Sequence, residues 1–242
     1  MSLPLILALG TALTSTPGVG TDHPRVALSV SPARLVVAVP GSRRIELRNI
    51  GTDRVVVDIR PRAVGLRTRA KAWVEILPRT RVLAPATKGS FTVRVRSPRR
   101  AQPGDHHVLV LLTTRPVRDR GIGVRMRLGV RMRLRVPGRI VRRVEVRGLR
   151  VERRRGVRVI VLSLANRGNV TAELAGRLTL SFVRRGHVVA RIRRRNAYAL
   201  LPGARAAVAL PYRGGVHGSV TAVVNLRIEA SRHVQRRFRI RL

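Results

Sequence analysis

Residues Val124 to Val136 read VRMRLGVRMRLRV, and this stretch decides the fold class. Every even-numbered position is apolar, and every odd-numbered position is arginine or Gly129. A period of two is the pattern of a β-strand with one buried face and one exposed face. At about 3.4 Å per residue the strand would span ~45 Å. Because most strands of globular sheets are shorter, the sequence predicts that part of this strand protrudes from its domain as an edge.

Similar alternating segments recur before this stretch, separated by clusters of Pro, Gly and Asn, and they predict an all-β protein. Their number and length are typical of an immunoglobulin-like sandwich. The predicted strands are Val26–Val30, Arg34–Val39, Arg43–Asn49, Arg54–Arg60, Ala72–Leu77, Ser90–Arg96, His107–Thr114 and Val124–Val136. The side chains predicted to face inward are Ile45, Leu47, Val55, Val57, Phe91, Val93, Val95, Met126, Leu128, Met132 and Leu134.

The alternation stops at Pro137 and Gly138 and begins again near Val141, which predicts a second sandwich. The strands predicted there are Val141–Val151, Val157–Ala165, Ala172–Val183, His187–Arg193, Ala204–Leu210, Ser219–Glu229 and Val234–Leu242. The fold class is therefore all-β, with two tandem antiparallel immunoglobulin-like sandwiches at residues 21–138 and 139–242. The two halves are not recognisable copies of each other.

The first 20 residues have the pattern of an export signal. Leu3 to Leu13 form an apolar run that is too short to span a membrane and is followed by polar, turn-forming residues. No basic residue precedes the run and no A-x-A site follows it, so an ordinary apolar N-terminus is the alternative. We expect cleavage near Thr21 and an exported protein, either in the cell envelope or extracellular, with no membrane span.

The chain carries 51 basic residues against 11 acidic ones, for a formal net charge of +40. Such a charge attracts anionic polymers, for example cell-wall polymers or nucleic acid. A coding bias toward arginine would give the same composition without selection for binding. Nucleic acid is the less favoured partner, because the aromatic content of 2% leaves few stacking platforms and no basic helix is predicted.

No residue pattern indicates catalysis, a metal site or a cofactor. His106 and His107 are adjacent, so their side chains point to opposite faces, and we expect them in a solvated loop. Trp73 is expected in the core or between the domains. The glycines at 121–123 indicate a hairpin turn rather than a nucleotide-binding loop. The acidic residues expected to neutralise neighbouring arginines are Glu46, Asp53, Asp58 and Glu75.

Several segments of the first half resemble the N-terminal domain of PapD-like proteins, which include pilus chaperones and the WxL-interacting surface proteins of Gram-positive bacteria. The segments are VSPARLVVAVPGSRRIELRNIG at Val30–Gly51, VEILPRTRVLAPATKGSFTVRV at Val74–Val95, PGDHHVLVLL at Pro103–Leu112 and the final alternating strand. The second half resembles the partner domain of WxL-interacting proteins through LANRGNVTAELAGRLTL at Leu164–Leu180 and RNAYALLPGARAAVAL at Arg195–Leu210.

The resemblance implies a PapD-like first domain and a non-enzymatic, exported protein that binds a surface protein or an anionic cell-wall polymer. A pilus or surface-subunit chaperone that donates a β-strand is one alternative, and a basic nucleic-acid-binding protein is another. WxL-interacting proteins usually end in a transmembrane helix, whereas this chain ends in RRFRIRL, so membrane anchoring cannot be carried over from the resemblance.

Pilus chaperones keep a basic pair that holds the C-terminal carboxylate of a subunit. Arg34 has the matching position on an early strand, and Arg131, Arg133 and Arg135 all lie near the position of the second member. The remaining predicted partner-binding residues form one row of the final strand, where alternate side chains select an added strand. They are Val124, Met126, Leu128 and Val130. The alternative is that this row simply fills the core and that Arg34 is only a solvated residue.

Overall fold

The computed structural model describes residues 25–65, 68–115, 125–228 and 232–242. Three features predicted from the sequence therefore lie outside the described residues. They are the predicted export signal at 1–20, the glycine turn at 121–123, and Val124.

The first half forms a sandwich of two sheets, with strand orders β1-β3-β7-β5 and β2-β9-β8-β4-β6. Its strands are β1 (Leu28–Ser31), β2 (Arg34–Ala38), β3 (Gly41–Asn49), β4 (Val55–Ala63), β5 (Val74–Leu77), β6 (Thr80–Leu83), β7 (Lys88–Val95), β8 (Gly104–Thr114) and β9 (Arg127–Val136). A short 3-10 helix, Thr68–Trp73, precedes β5.

The core between these sheets is built from alternate residues, as the sequence predicts. Most of the side chains predicted to face inward are buried, with Ile45, Phe91 and Leu134 among the largest. Met126 and Leu128 are the exceptions, since they are only partly buried against the core.

One pair of neighbouring strands departs from the predicted antiparallel arrangement. β1 pairs with β3 in one sheet, and after only two residues β2 pairs in parallel with β9 in the other. The chain thus changes sheets at the edge of the sandwich, and β2 covers only part of β9.

The second half is a sandwich of the sheets β10-β11-β14 and β13-β12-β15-β16. Its strands are β10 (Val144–Arg154), β11 (Val157–Asn166), β12 (Ala172–Arg184), β13 (His187–Leu200), β14 (Arg205–Tyr212), β15 (Ser219–Ile228) and β16 (Arg232–Arg241). Phe182 and Tyr212 contact edge to face in its core, with ring centroids 5.2 Å apart. β9 ends at Val136 and β10 begins at Val144, so the predicted domain boundary falls between them, although the exact limits stay a prediction.

Some observed strand limits differ from those that side-chain alternation predicts. β6 was not predicted, because its four residues are too few to show alternation. β5 begins two residues later than predicted, because Ala72 and Trp73 end the 3-10 helix. Trp73 packs partly buried against the first core, and its ring centroid lies 4.6 Å from that of His106.

The prediction of a solvated loop at His106 and His107 is wrong, because both residues lie inside β8. Their side chains do point to opposite faces. His106 is buried and its Nε2 lies 2.8 Å from the carbonyl oxygen of Gln102. His107 Nε2 lies 2.7 Å from Thr171 Oγ1 of the second sandwich. Burial lowers the pKa of His107, although the Asp105 carboxylate opposes the shift.

Asp105 joins the two sandwiches. Its carboxylate is fully buried, pairs with the Arg135 guanidinium, and accepts the backbone N–H of Thr171 at 2.8 Å. Its own backbone N–H donates to the carbonyl of Asn169 at 2.8 Å. The sandwiches are therefore held by hydrogen bonds at a buried contact, not only by the connecting segment.

Two of the four predicted charge pairings are present. Asp53 pairs with Arg25 at 3.1 Å and Asp58 with Arg115 at 2.9 Å. Within the described ranges, neither Glu46 nor Glu75 forms an ion pair. In those same ranges there is no cluster of metal-ligating side chains, and no helix has the length and apolar character needed to cross a membrane.

Candidate partner-binding edge

The final strand of the first sandwich is uncovered along part of one side. β8 pairs with all of β9, from Arg127 to Val136. On the opposite side β2 pairs only with Arg131 to Arg135, so no described strand covers Arg127 to Val130 there. The prediction that this strand protrudes is wrong for its described part, because β9 remains within its sheet. Its edge is open because β2 is short.

The backbone groups of this open edge can be assigned from the ladder. The Met126 carbonyl accepts from the Thr114 N–H at 3.0 Å, so even-numbered residues of this strand bond toward β8. The Arg131 N–H donates to the Ala33 carbonyl at 2.9 Å, so odd-numbered residues bond toward β2. Since backbone direction alternates along a strand, the N–H and C=O groups of Arg127 and Gly129 face the uncovered side.

The two faces of the strand differ in how accessible they are. Val130 is completely buried, and its backbone groups face β8, so neither its side chain nor its backbone groups are open to a partner. Met126 and Leu128 keep part of their surface in solvent while the rest packs on the first core. On the outer face, Leu109 of β8 fills the gap in the arginine row, because a Cβ at Gly129 would lie 2.8 Å from Leu109 Cδ1.

The parallel ladder brings two arginines together where the open edge ends. Arg34 is the register partner of Arg131, and both side chains are exposed. In the part of the chain that the structure describes, no hydrogen bond or ion pair engages either guanidinium. Arg133 instead pairs with Glu173 at 3.2 Å, and Arg135 pairs with Asp105. Among the three arginines that the sequence left open, Arg131 is therefore the one whose charge is uncompensated beside Arg34.

The sequence could not reveal which edge is open, because this depends on where the chain crosses between sheets. A partial signal was present at residues 32–33, where Pro32 follows a short alternating run and interrupts it. The partner-binding roles of Arg34, Met126, Leu128, Val130, Arg131 and Arg133 stay predictions.

Comparison with solved structures shows that this architecture is similar to that of fimbrial chaperones. The chain superimposes on a class 5 fimbrial chaperone, CfaA, with a TM-score of 0.53 and 10% identity, covering 87% of this chain and 98% of that one. It matches a chain from a chaperone–tip adhesin complex of CFA/I fimbriae with a TM-score of 0.52 and 12% identity, at the same coverage. The fold is PapD-like.

A third match comes from the CsuC–CsuE pre-assembly complex of chaperone-usher Csu pili of Acinetobacter baumannii. Its TM-score is 0.50 at 12% identity, and it covers 88% of this chain and 98% of that one. No protein-family model matches the sequence, and no curated protein matches it either. These structural relatives are chaperones rather than enzymes. The resemblance to WxL-interacting proteins stays a prediction.

Proposed function

We propose that this chain is an exported assembly chaperone for subunits of a surface organelle, and that it acts by adding the open edge of β9 to an incomplete subunit. This proposal rests on one observation, which is that no described strand covers the β2 side of Arg127 to Val130. The PapD-like fold supports it, since two of the similar structures are described as complexes of a chaperone with a tip subunit. The first choice from sequence was binding to a surface protein or to an anionic cell-wall polymer, and these comparisons give no support to the polymer.

The direction of a bound strand follows from β2. A partner segment parallel to β9 would lie in line with β2 and bond to Arg127 and Gly129, whose backbone groups face that side. Its carboxyl end would then arrive at Arg34 and Arg131. Two exposed guanidinium groups without a carboxylate partner suit a terminal carboxylate, because a charge-assisted, bidentate hydrogen bond is available there.

The chemistry of the partner follows from the partly exposed side chains. A subunit that lacks one strand leaves part of its own core open. Met126 and Leu128 present apolar surface at the edge, and burying it in such a core would add hydrophobic stabilisation to the backbone bonds. The preferred partner is therefore an incomplete β-sandwich with a free C-terminal carboxylate.

The experiment is co-expression with the surface subunits encoded by neighbouring genes, followed by purification of the complex. The test substitution is Arg127→Pro, which removes an N–H that faces the open side and leaves the bonds to β8 in place. We expect about tenfold weaker binding from the lost backbone bond. Arg127→Gln is the matched control, because it removes the same charge and keeps the N–H.

Amide hydrogen exchange on the complex supplies the decisive readout. Binding of a subunit should protect the amides of Arg127 and Gly129 and leave the folded chaperone otherwise unchanged. A complex in which these two amides exchange as in the free protein contradicts strand addition. Equal loss of binding in Arg127→Pro and Arg127→Gln would assign the effect to the lost charge and would also contradict strand addition.

A further inference from the structure

The second sandwich has a sheet face whose composition differs from the rest of the surface. In the β13-β12-β15-β16 sheet the core side is apolar, including Leu180, Ala222 and Phe238. Alternation places the intervening residues on the outer side. There the two central strands carry four small polar side chains and one valine at positions 179–181 and 221–225, while both edge strands carry arginines. We call this side the arginine-framed face; its members are Thr179, Ser181, Arg191, Arg193, Thr221, Val223, Asn225, Gln235, Arg237 and Arg239.

The register aligns these residues in rows across the sheet. One row runs from Arg191 through Ser181 and Val223 to Arg237. The next row begins at Arg193 and crosses Thr179, Asn225 and Gln235. With strands about 4.8 Å apart, the arginines of the two edges stand ~14 Å from each other at their backbones. A floor of hydroxyl and amide side chains, interrupted by Val223, thus lies between two margins formed by the arginines of the edge strands.

Within the described residues, no carboxylate neutralises the arginines of the two edge strands. The only acidic side chain of the described sheet is Glu173, which lies at the end next to the first sandwich and pairs with Arg133. On the opposite sheet, by contrast, Glu145 and Glu152 each bind two or more arginines. Arg191 donates to Ser181 Oγ at 3.3 Å, whereas no described side chain pairs with Arg193, Arg237 or Arg239.

A cleft at the tip of the sandwich is lined by the same kinds of side chain, namely arginines and hydroxyl groups. It has a volume of about 490 Å³ and opens beside the arginine-framed face. Arginines from the β12–β13 turn and from β16 line it together with two hydroxyl groups, and none of its lining residues is acidic. The polar residues are Arg184, Arg185, Ser219, Thr221, Arg239 and Arg241.

We propose that the arginine-framed face and this cleft bind a linear phosphate-bearing polymer. Guanidinium groups bind phosphate oxygens bidentately, and the hydroxyl and amide side chains of the floor supply further hydrogen bonds. The sheet twists by about 20–25° between neighbouring strands, so a flexible chain can follow it better than a planar membrane can. No aromatic side chain lies among the members of the face, so stacking of nucleic-acid bases adds nothing here.

The test uses the full chain and inorganic polyphosphate as the probe, with binding measured by calorimetry at several salt concentrations. The test variant is Arg193→Gln/Arg237→Gln/Arg239→Gln. The matched control is Arg96→Gln/Arg99→Gln/Arg100→Gln, which removes the same charge from exposed positions of the first sandwich. We expect at least tenfold weaker binding for the test variant, a salt slope reduced by about 2, and less than twofold weakening for the control.

Three results would overturn the proposal. Equal weakening in both variants would show that only net charge matters. Tighter binding to vesicles of acidic phospholipid than to polyphosphate, lost in the test variant, would assign the face to a membrane. Preference for single-stranded DNA over polyphosphate at equal phosphate concentration would assign it to nucleic acid. Because all substituted arginines are exposed, the melting temperatures should agree within about 2 °C, and binding losses then report the surface itself.

Discussion

Asp105 shows how one buried carboxylate can connect two sandwiches. Its side chain has no exposure, yet the Arg135 guanidinium and the Thr171 N–H both donate to it. Burial by itself raises the pKa of a carboxyl group, but these bonds outweigh it and hold the pKa of Asp105 below its usual value. The charged form is therefore the one that stabilises the folded protein.

Replacing Asp105 tests this linkage. Asp105→Asn should cost about 3 kcal/mol at neutral pH, because Arg135 loses its partner at the contact. In the wild type, the contribution of Asp105 is fully present above the unfolded-state pKa of about 3.9. It is lost as the pH falls through the lower folded-state pKa. Urea unfolding between pH 7 and pH 2 should therefore show the two stability curves converging in acid. Parallel curves would contradict this role for Asp105.

At the scale of elements, one buried asparagine closes a corner of each sandwich through three corresponding hydrogen bonds, which we call a bracket. Asn49 and Asn166 are both buried, at the ends of β3 and β11. Each side-chain oxygen accepts the N–H of the glycine two residues later, and each side-chain amide donates to the carbonyl four residues later. Each amide also donates to a leucine carbonyl 34 residues further along the chain. The halves share this device although their sequences are not recognisable copies.

Removal of either bracket should destabilise the protein strongly. Asn49→Ala or Asn166→Ala leaves several buried backbone groups without partners, and we expect a loss of about 3 kcal/mol for each. Asn225→Ala is the control, since Asn225 lies on the outer face of β15, where no hydrogen bond to its side chain is formed within the described residues. Chemical denaturation measures all three variants. A loss below 1 kcal/mol for either bracket would show that water replaces these bonds readily.

For the whole molecule, close packing at the junction fixes how the two sandwiches are arranged. Gly104 begins β8 with φ of 110°, and a Cβ there would lie 2.1 Å from the carbonyl oxygen of Asn169. The Asn169 side chain in turn donates to the carbonyls of Pro103 and Arg139. Both sandwiches and the segment between them therefore meet at one point.

Adding a single methyl group at Gly104 should open the junction between the two sandwiches. We expect Gly104→Ala to cost about 2 kcal/mol through backbone strain and the clash with Asn169. Small-angle scattering should then give a larger radius of gyration, and thermal unfolding should separate into two transitions. Gly215→Ala is the matched control, because a Cβ at Gly215 meets nothing within 4 Å. An unchanged scattering profile for Gly104→Ala would mean that the orientation is set elsewhere.

The sequence by itself determined the all-β class, the two sandwiches and most of the core. These follow from side-chain alternation, which is a local property: Ile45, Phe91 and Leu134 face inward wherever their strands lie. The tertiary structure decided the features that depend on contacts distant in sequence. It placed His106 and His107 in a packed strand, matched Arg34 with Arg131, and left the edge at Arg127 and Gly129 open. Alternation assigns a residue to a face, but only the order of strands determines which backbone edge has no neighbour.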